Sequence, residues 1–176
     1  MSNHFSVRPE AGEYGSYFEG YVSLVPEGDV VETLARQIEE TLGLLRSLPE
    51  SRGGERYEPG KWSIRELLGH MSDTERVFAY RALCIARGDT APLPGMDQDV
   101  YVAGANFDAR TLADLTDEFE QVRRATLALF RPMDETAWLR RGTANNNPFS
   151  VRALAHVCAG HELHHLRVLR DRYLNE

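Results

Sequence analysis

The chain has 176 residues and a formal net charge of −7, with its basic residues scattered rather than gathered into a stripe. That length suits one domain, residues 1–176, with a core that needs no staples, and the acidic balance excludes a nucleic-acid partner, whose phosphates call for concentrated Lys and Arg. No apolar run approaches the roughly eighteen residues of a membrane span, the N-terminal stretch lacks a secretory pattern, and Cys84 with Cys158 makes no disulfide framework, so a reducing cytoplasm is the expected location.

Tyr14, Tyr17, Phe18, Tyr21 and Val22 recur at three- and four-residue steps, which predicts a short helix or a wrapping segment packed on the body. Asp29 is placed to cap a first long helix from about Val30 to Leu48. Its Val31, Leu34, Ile38, Leu42, Leu45 and Leu48 form a core-facing seam. A second helix is predicted from the capping box Ser63-Ile64-Arg65-Glu66 to about Arg87, where Gly88 closes it. Ile64, Leu67, Met71, Val77, Phe78 and Ile85 face inward on that helix. Residues 88–107 lack clear periodicity and are expected to form a long lid, binding loop or crossover. A third helix is expected from about Ala109 to Arg131, capped by Asp108 and stopped by Pro132. Residues 132–149 form a second long connection, with Trp138 and the Asn145-Asn146-Asn147-Pro148 stretch. Ser150 caps a fourth helix that runs to about Leu174. Nothing reads as a sheet, and four long helices pack naturally as an all-α four-helix bundle.

Position separates the six histidines. The inward stripe of the fourth helix, Leu154, Cys158, His161, His165 and Val168, puts two histidines on consecutive turns at i and i+4. Burying adjacent imidazoles is costly unless their ring nitrogens find partners. A shared metal supplies one partner for each, and i, i+4 is the spacing that lets a helix chelate one ion. His70, beside Met71 and one turn after Leu67, offers a third ligand from the second helix. A lone inward histidine is most simply a satisfied core residue. Three such residues on two core-facing helices point instead to one divalent ion with an open coordination position.

The remaining polar groups are weighed against that site. His164 lies at the edge of the stripe, as a substitute for His165 or as a residue that orients a ligand. His156 falls off the stripe and is expected at the surface; His4 is expected near a mobile terminus. Cys158 reads as a small buried hydrophobe rather than a thiolate ligand. Asp73, Glu75, Asp97, Asp99 and Glu162 are candidates to hold a ligand or act as a general base, with a solvated face the equally simple reading. Residues 161–165, HELHH, match the H-E-x-x-H helix of zinc proteases. Only eleven residues follow His165, none of them histidine, and no strand-rich half exists to hold a peptide. The protease reading is therefore disfavoured, and Glu162 is expected to face away from the ion.

Residues 57–70, YEPGKWSIRELLGH, continuing into DTER at 73–76, resemble the DinB-like superfamily of bacterial metal-dependent proteins. So do GHELHHL at 160–166 and the long connection ARGDTAPLPGMDQD at 86–99. The resemblance implies an up-down-down-up bundle in which the long link joins helices two and three running parallel. It implies metal ligation by His70, His161 and His165, with zinc, nickel, manganese or iron as the ion. Related proteins are similar to thiol transferases, which join low-molecular-weight thiols such as bacillithiol to electrophiles, and to mycothiol-dependent isomerases; homodimers are common among them. The leading expectation is an enzyme whose ion activates a thiol or water toward an electrophilic small molecule, by thiol transfer or hydrolysis. Trp62, Tyr101 and Trp138 are its expected pocket walls. The other class is a non-catalytic metal-binding module of a stress response.

Overall fold

Each long helix begins where a side-chain oxygen meets the first free backbone N–H groups. In the computed structural model, which describes residues 3–175, the Asp29 carboxylate accepts from Val31 and Glu32 and starts a helix over Val30–Ser47. This is α2; a single turn, α1 (Glu19–Val22), precedes it. The capping box at Ser63 forms in both directions: Glu66 N–H donates to Ser63 Oγ at 3.1 Å, and Ser63 N–H donates to the Glu66 carboxylate at 2.8 Å. It opens α3 (Ile64–Ala86), and Gly88 at φ +84° turns the chain away. A short helix, α4 (Gln98–Ala105), is capped by Asp97 and lies inside the connection expected to be irregular.

The next long helix, α5 (Leu112–Phe130), starts later than expected. Thr111, not Asp108, accepts from the Asp114 N–H and caps it. Asp108 is drawn away by Arg56 and the Ser63 hydroxyl, which both donate to it, and it sits in a 3-10 turn over Phe107–Ala109. One turn, α6 (Glu135–Leu139), precedes the last helix, α7 (Val151–Val168), which Ser150 caps as expected. A wider π-helical segment, Leu169–Leu174, continues it.

The expectation of no sheet is corrected. Residues Arg141–Ala144 (β1) and Asn147–Ser150 (β2) form an antiparallel hairpin, with Arg141 opposite Ser150 and Ala144 opposite Asn147. Asn145 and Asn146 both take left-handed backbone, φ +49° and +58°, which a two-residue hairpin turn of this twist requires and asparagine tolerates.

Cross-helix bonds give the direction of each neighbour. Arg46 pairs with Glu120 while Arg123, further along α5, reaches back to the Leu34 carbonyl, so α2 and α5 are antiparallel. Gln37 donates to the Ala159 carbonyl and Thr41 to Glu162, so α2 and α7 run parallel. Arg76 pairs with Glu118, and one groove further along is lined by Leu83 and Leu129, so α3 and α5 are parallel. The start of α7 is tied through Arg140 to the end of α3, so those two are antiparallel. The bundle is therefore up-down-down-up, with the link from 87 to 111 carrying the chain back along its length. No helix among the described residues is long and apolar enough to cross a membrane.

Two apolar clusters fill the bundle. One, around Leu34, Phe78, Phe130, Trp138, Phe149 and Leu154, lies at the hairpin end; the other, around Ile38, Leu68, Met71, Leu115, Phe119 and Leu169, lies at the opposite end. Between them every long helix contributes buried polar groups: Gln37 and Thr41, His70 and Glu75, Arg123, and His161, Glu162 and His165. The N-terminal segment then wraps α7, because Gly160 has no side chain and a Cβ there would overlap the Tyr21 carbonyl oxygen.

Candidate metal centre

His70 on the second turn of α3 and His161 and His165 on α7 are all buried and converge within the polar layer. Their candidate ligand atoms lie within 4.8 Å of one another. The Nε2 atom of His161 is 3.1 Å from that of His70 and 3.0 Å from that of His165. Ligand nitrogens at tetrahedral positions around zinc stand about 3.3 Å apart, close to both spacings.

Proton inventory gives an independent test of fit. A neutral imidazole Nε2 carries either a hydrogen or an in-plane lone pair, never both. His161 Nε2 can therefore satisfy only one of its two neighbours by hydrogen bonding. A cation shared by three lone pairs satisfies all of them. Burial, then repulsion from His164, holds His70 down to about 4, and burial with neighbouring histidines holds His161 and His165 well below the usual imidazole value. The three rings are thus neutral at pH 7, the form that donates to a metal. Thr74 Oγ1 lies 3.3 Å from His70 Nδ1 and fixes that ring, while His165 Nδ1 is buried without a partner among the described residues.

Aromatic groups frame the histidines. The Trp62 ring centroid is 4.6 Å from that of His70, and Tyr21 meets both His161 and His164 edge-on, at 5.5 and 5.4 Å. Two cavities open beside the cluster. One, of about 280 Å³, is lined by His70, His161, Tyr21, Phe78, Arg81 and Gln98. The other, of about 400 Å³, is lined by His164, His165, Tyr57, Lys61, Trp62 and again Gln98. The open side of the histidine cluster thus meets volume large enough for small molecules.

Behind the cluster lies a buried charge network. Arg123 donates to both Glu75 oxygens at 2.8 and 2.7 Å, to Glu162 at 2.7 Å and to the Leu34 carbonyl at 3.1 Å; Thr41 donates to the other Glu162 oxygen. Two carboxylates face one guanidinium, a formal excess of one negative charge beside a cluster of neutral imidazoles. Burial raises the Glu162 pKa against the pull of Arg123. Glu162 faces away from the histidines, as expected, and its oxygens are taken by Arg123 and Thr41, which removes it from a protease role.

Among the described residues no carboxylate or thiol joins the group of three histidines. Asp73 pairs with Arg76, Glu75 with Arg123, Asp97 caps α4, and Asp99 lines the larger cavity. Cys158 is buried, and that burial raises its thiol pKa, so it stays a small apolar filler. His164 is half-buried and lines the larger cavity beside the cluster. Two wall expectations are corrected: Trp138 is fully buried against Phe5 and Phe130, and Tyr101 is largely exposed and lines neither cavity. Trp62 is a wall, as expected.

His156 is not at the surface. It is buried, with Nδ1 bonded to the Arg152 carbonyl at 2.8 Å, because the N-terminal segment covers the outer face of α7 through Glu13 and Arg152. His4 is likewise anchored, with Nε2 3.1 Å from the Met133 carbonyl. Periodicity does not single out Arg123 and Arg81, although each sits on an inward seam, Arg123 between Phe119 and Leu127 and Arg81 between Phe78 and Ile85. An arginine in an apolar stripe is the signal that marks them.

Comparison with known proteins bears on this arrangement. The profile of the DinB superfamily matches residues 33–169, which include all three histidines. The chain belongs to the DinB superfamily. Comparison with curated proteins gives no match. Among solved structures, this DinB chain is similar to YfiT from Bacillus subtilis, described as a probable metal-dependent hydrolase with an unusual four-helix-bundle topology. The TM-score is 0.71 at 12% identity, over 97% of this chain and 93% of that one. It is also similar to a mycothiol-dependent maleylpyruvate isomerase, with a TM-score of 0.67 at 13% identity over 82% of this chain, and the match spans only 61% of the isomerase. At these identities the likeness is one of fold.

Proposed function

We propose that this DinB-superfamily protein is a metal-dependent enzyme that activates a nucleophile for attack on an electrophilic small molecule, with transfer of a low-molecular-weight thiol as its reaction. His70, His161 and His165 hold one divalent ion, zinc, nickel, manganese or iron. The observation that carries this reading is the convergence of three neutral Nε2 atoms beside two cavities, a donor set that leaves coordination positions open. When bound, such an ion acts as a Lewis acid that lowers the pKa of a thiol or water.

The chain's own residues do the rest. Thr74 keeps the His70 ring aimed, and Trp62 closes that ring off from bulk water. Tyr21 covers the edge of His161. The Arg123 network holds α2, α3, α5 and α7 in register, so that His70 stays opposite the α7 pair. Two cavities that share Gln98 suit a thiol and an electrophile approaching from different sides. Hydrolysis is the second reading, favoured by the similarity in fold to YfiT, described as a probable metal-dependent hydrolase. A cytoplasmic location and a homodimer belong to the same proposal, and light scattering on the purified protein checks the latter.

The test is reconstitution with zinc, nickel, manganese or iron, followed by a low-molecular-weight thiol and a reactive chloroarene or epoxide. Mass spectrometry is expected to find the thioether product with at least one metal. Failure of every metal to transfer a thiol removes that reaction. Elemental analysis of the native protein and of a His70/His161/His165→Ala triple variant tests the site itself. Stoichiometric metal is expected only in the former, and metal retained by the variant overturns the ligand assignment.

A further inference from the structure

Among the described residues, Arg81 is a buried cation without a carboxylate partner. The other buried guanidiniums are matched, Arg123 by Glu75 and Glu162 and Arg152 by Glu13. Arg81 is only 4% exposed, yet among the described residues its polar contact is one hydrogen bond, from Nη2 to the Pro94 carbonyl at 2.8 Å. The Phe78 ring packs on it, with the guanidinium carbon 5.8 Å from the centroid. Burial lowers its pKa, and among the described residues the group that acts against this is the Tyr101 phenol rather than a carboxylate. An unpaired buried charge costs folding free energy, and such a cost is tolerated where function uses the group. Arg81 also lines the smaller cavity, together with His70 and His161.

We propose that Arg81 is the anion-recognition residue of this cavity and that the ligand it receives is a small organic carboxylate with an apolar or aromatic body. The inference rests on reading the histidine cluster as a small-molecule site. Arginine presents a planar fork that fits a carboxylate bidentately, and most of that fork is uncommitted here. The Pro94 carbonyl and the Phe78 ring fix the fork before any ligand arrives, which limits the ordering cost of binding. Phe18, Tyr21 and Phe78 offer an apolar wall for the body, and Gln98, Asn145 and Asn147 supply amide edges around it. Phe78 lies midway along the cavity, 6.0 Å from the His161 ring and 5.8 Å from Arg81. A ligand anchored on Arg81 and lying along Phe78 therefore presents its far end to the histidines. Charge selects carboxylate over phosphate: one arginine faces the cavity, and Lys61, the chain's only lysine, lines the other one.

The test uses the full chain and a matched pair of probes, phenylacetate and its neutral amide, phenylacetamide. Calorimetry is run on the zinc-loaded and the chelator-treated protein. Phenylacetate is expected to bind roughly tenfold or more tighter than the amide in both preparations, the margin of a charge-assisted hydrogen bond. Arg81→Gln should bring the two probes within about twofold, with Arg81→Lys in between. The melting temperature of Arg81→Gln should be unchanged or higher, because a purely structural arginine would lower it on removal. Equal affinities, absence of binding by both probes, or a preference that survives in Arg81→Gln overturns the proposal. A preference that vanishes with the metal also overturns it, since the carboxylate would then be held by the ion. Thiol transfer is read with neutral thiols and a chloroarene, so its failure leaves this result standing, and the reverse.

Discussion

Glu13 is a carboxylate carried into the interior by the first turns of the chain. Burial by itself would raise its pKa, but hydrogen bonds from Arg152, from Ser150 and from the Glu10 backbone outweigh that and hold it at about 2. Its folded value lies below the unfolded one, so its stabilisation is fully present above about pH 4.5 and is lost as pH falls toward 2. Glu13→Gln should therefore cost on the order of 2–3 kcal/mol at pH 7 and flatten the acid limb of a urea-denaturation series between those values. An unchanged acid limb in the variant would separate Glu13 from acid unfolding. Arg123 is the reciprocal case, a cation between two buried acids. Arg123→Met leaves Glu75 and Glu162 facing each other, and about 3–5 kcal/mol of lost stability is expected from breaking such a network. Wild-type stability in that variant would show that the network contributes nothing to folding. At this scale the sequence was most informative for His161 and His165, because a four-residue step on a helix fixes a shared face without reference to anything else. His156 was opaque for the opposite reason: its burial depends on a segment more than a hundred residues away, tied down by Glu13 and Arg152.

Helix boundaries were legible where the cap is local and misplaced where a distant residue competes for it. Asp29, Ser63 and Ser150 cap as their sequences indicate. Asp108 does not, since Arg56 and Ser63 take its oxygens and Thr111 is left to start α5. The hairpin is not legible in periodicity because its strands are only four residues each and the alternation that marks a strand needs more length; the paired asparagines of its turn are the available signal. Close approach between elements explains a further feature that periodicity does not report. Gly160 sits in the middle of α7, where glycine lowers helix propensity, and its value lies in letting the α1 backbone rest on the helix. Gly160→Ala gains propensity but forces a Cβ against the Tyr21 carbonyl, which is backbone and cannot rotate aside. A net loss of about 1–3 kcal/mol is expected, as for other overpacking substitutions, with faster proteolysis in the segment around residues 15–25. Because Tyr21 also covers His161 and His164, the same substitution should loosen the smaller cavity. A variant as stable and as protease-resistant as the wild type would show that α1 does not dock on α7 in solution.

Across the whole molecule, the polar layer divides two apolar clusters, and each side of that layer is held differently. The α2–α5 side is closed by Arg123 with its carboxylates, so its polar groups are largely satisfied. On the α3–α7 side Glu75 and Glu162 are tied through Arg123, but the histidines are not: His161 Nε2 cannot serve both neighbours, and among the described residues His165 Nδ1 has no partner. The histidine cluster is consequently left with unmet polar groups in the absence of a cation, and an ion held by the proposed ligands His70, His161 and His165 would join α3 to α7 across it. Binding to the folded chain alone adds to folding stability, about 2.7 kcal/mol when the free metal is a hundredfold above its dissociation constant. For a domain of this size that corresponds to a rise in melting temperature of roughly 5–10 °C. The wild type is expected to show such a rise with zinc and to lose it on chelation. His161→Ala should abolish the rise whatever its own metal-free melting temperature, since the difference between the two preparations is what is measured. A full-sized shift in that variant would place the stabilising ion elsewhere and leave the histidine cluster without its proposed partner.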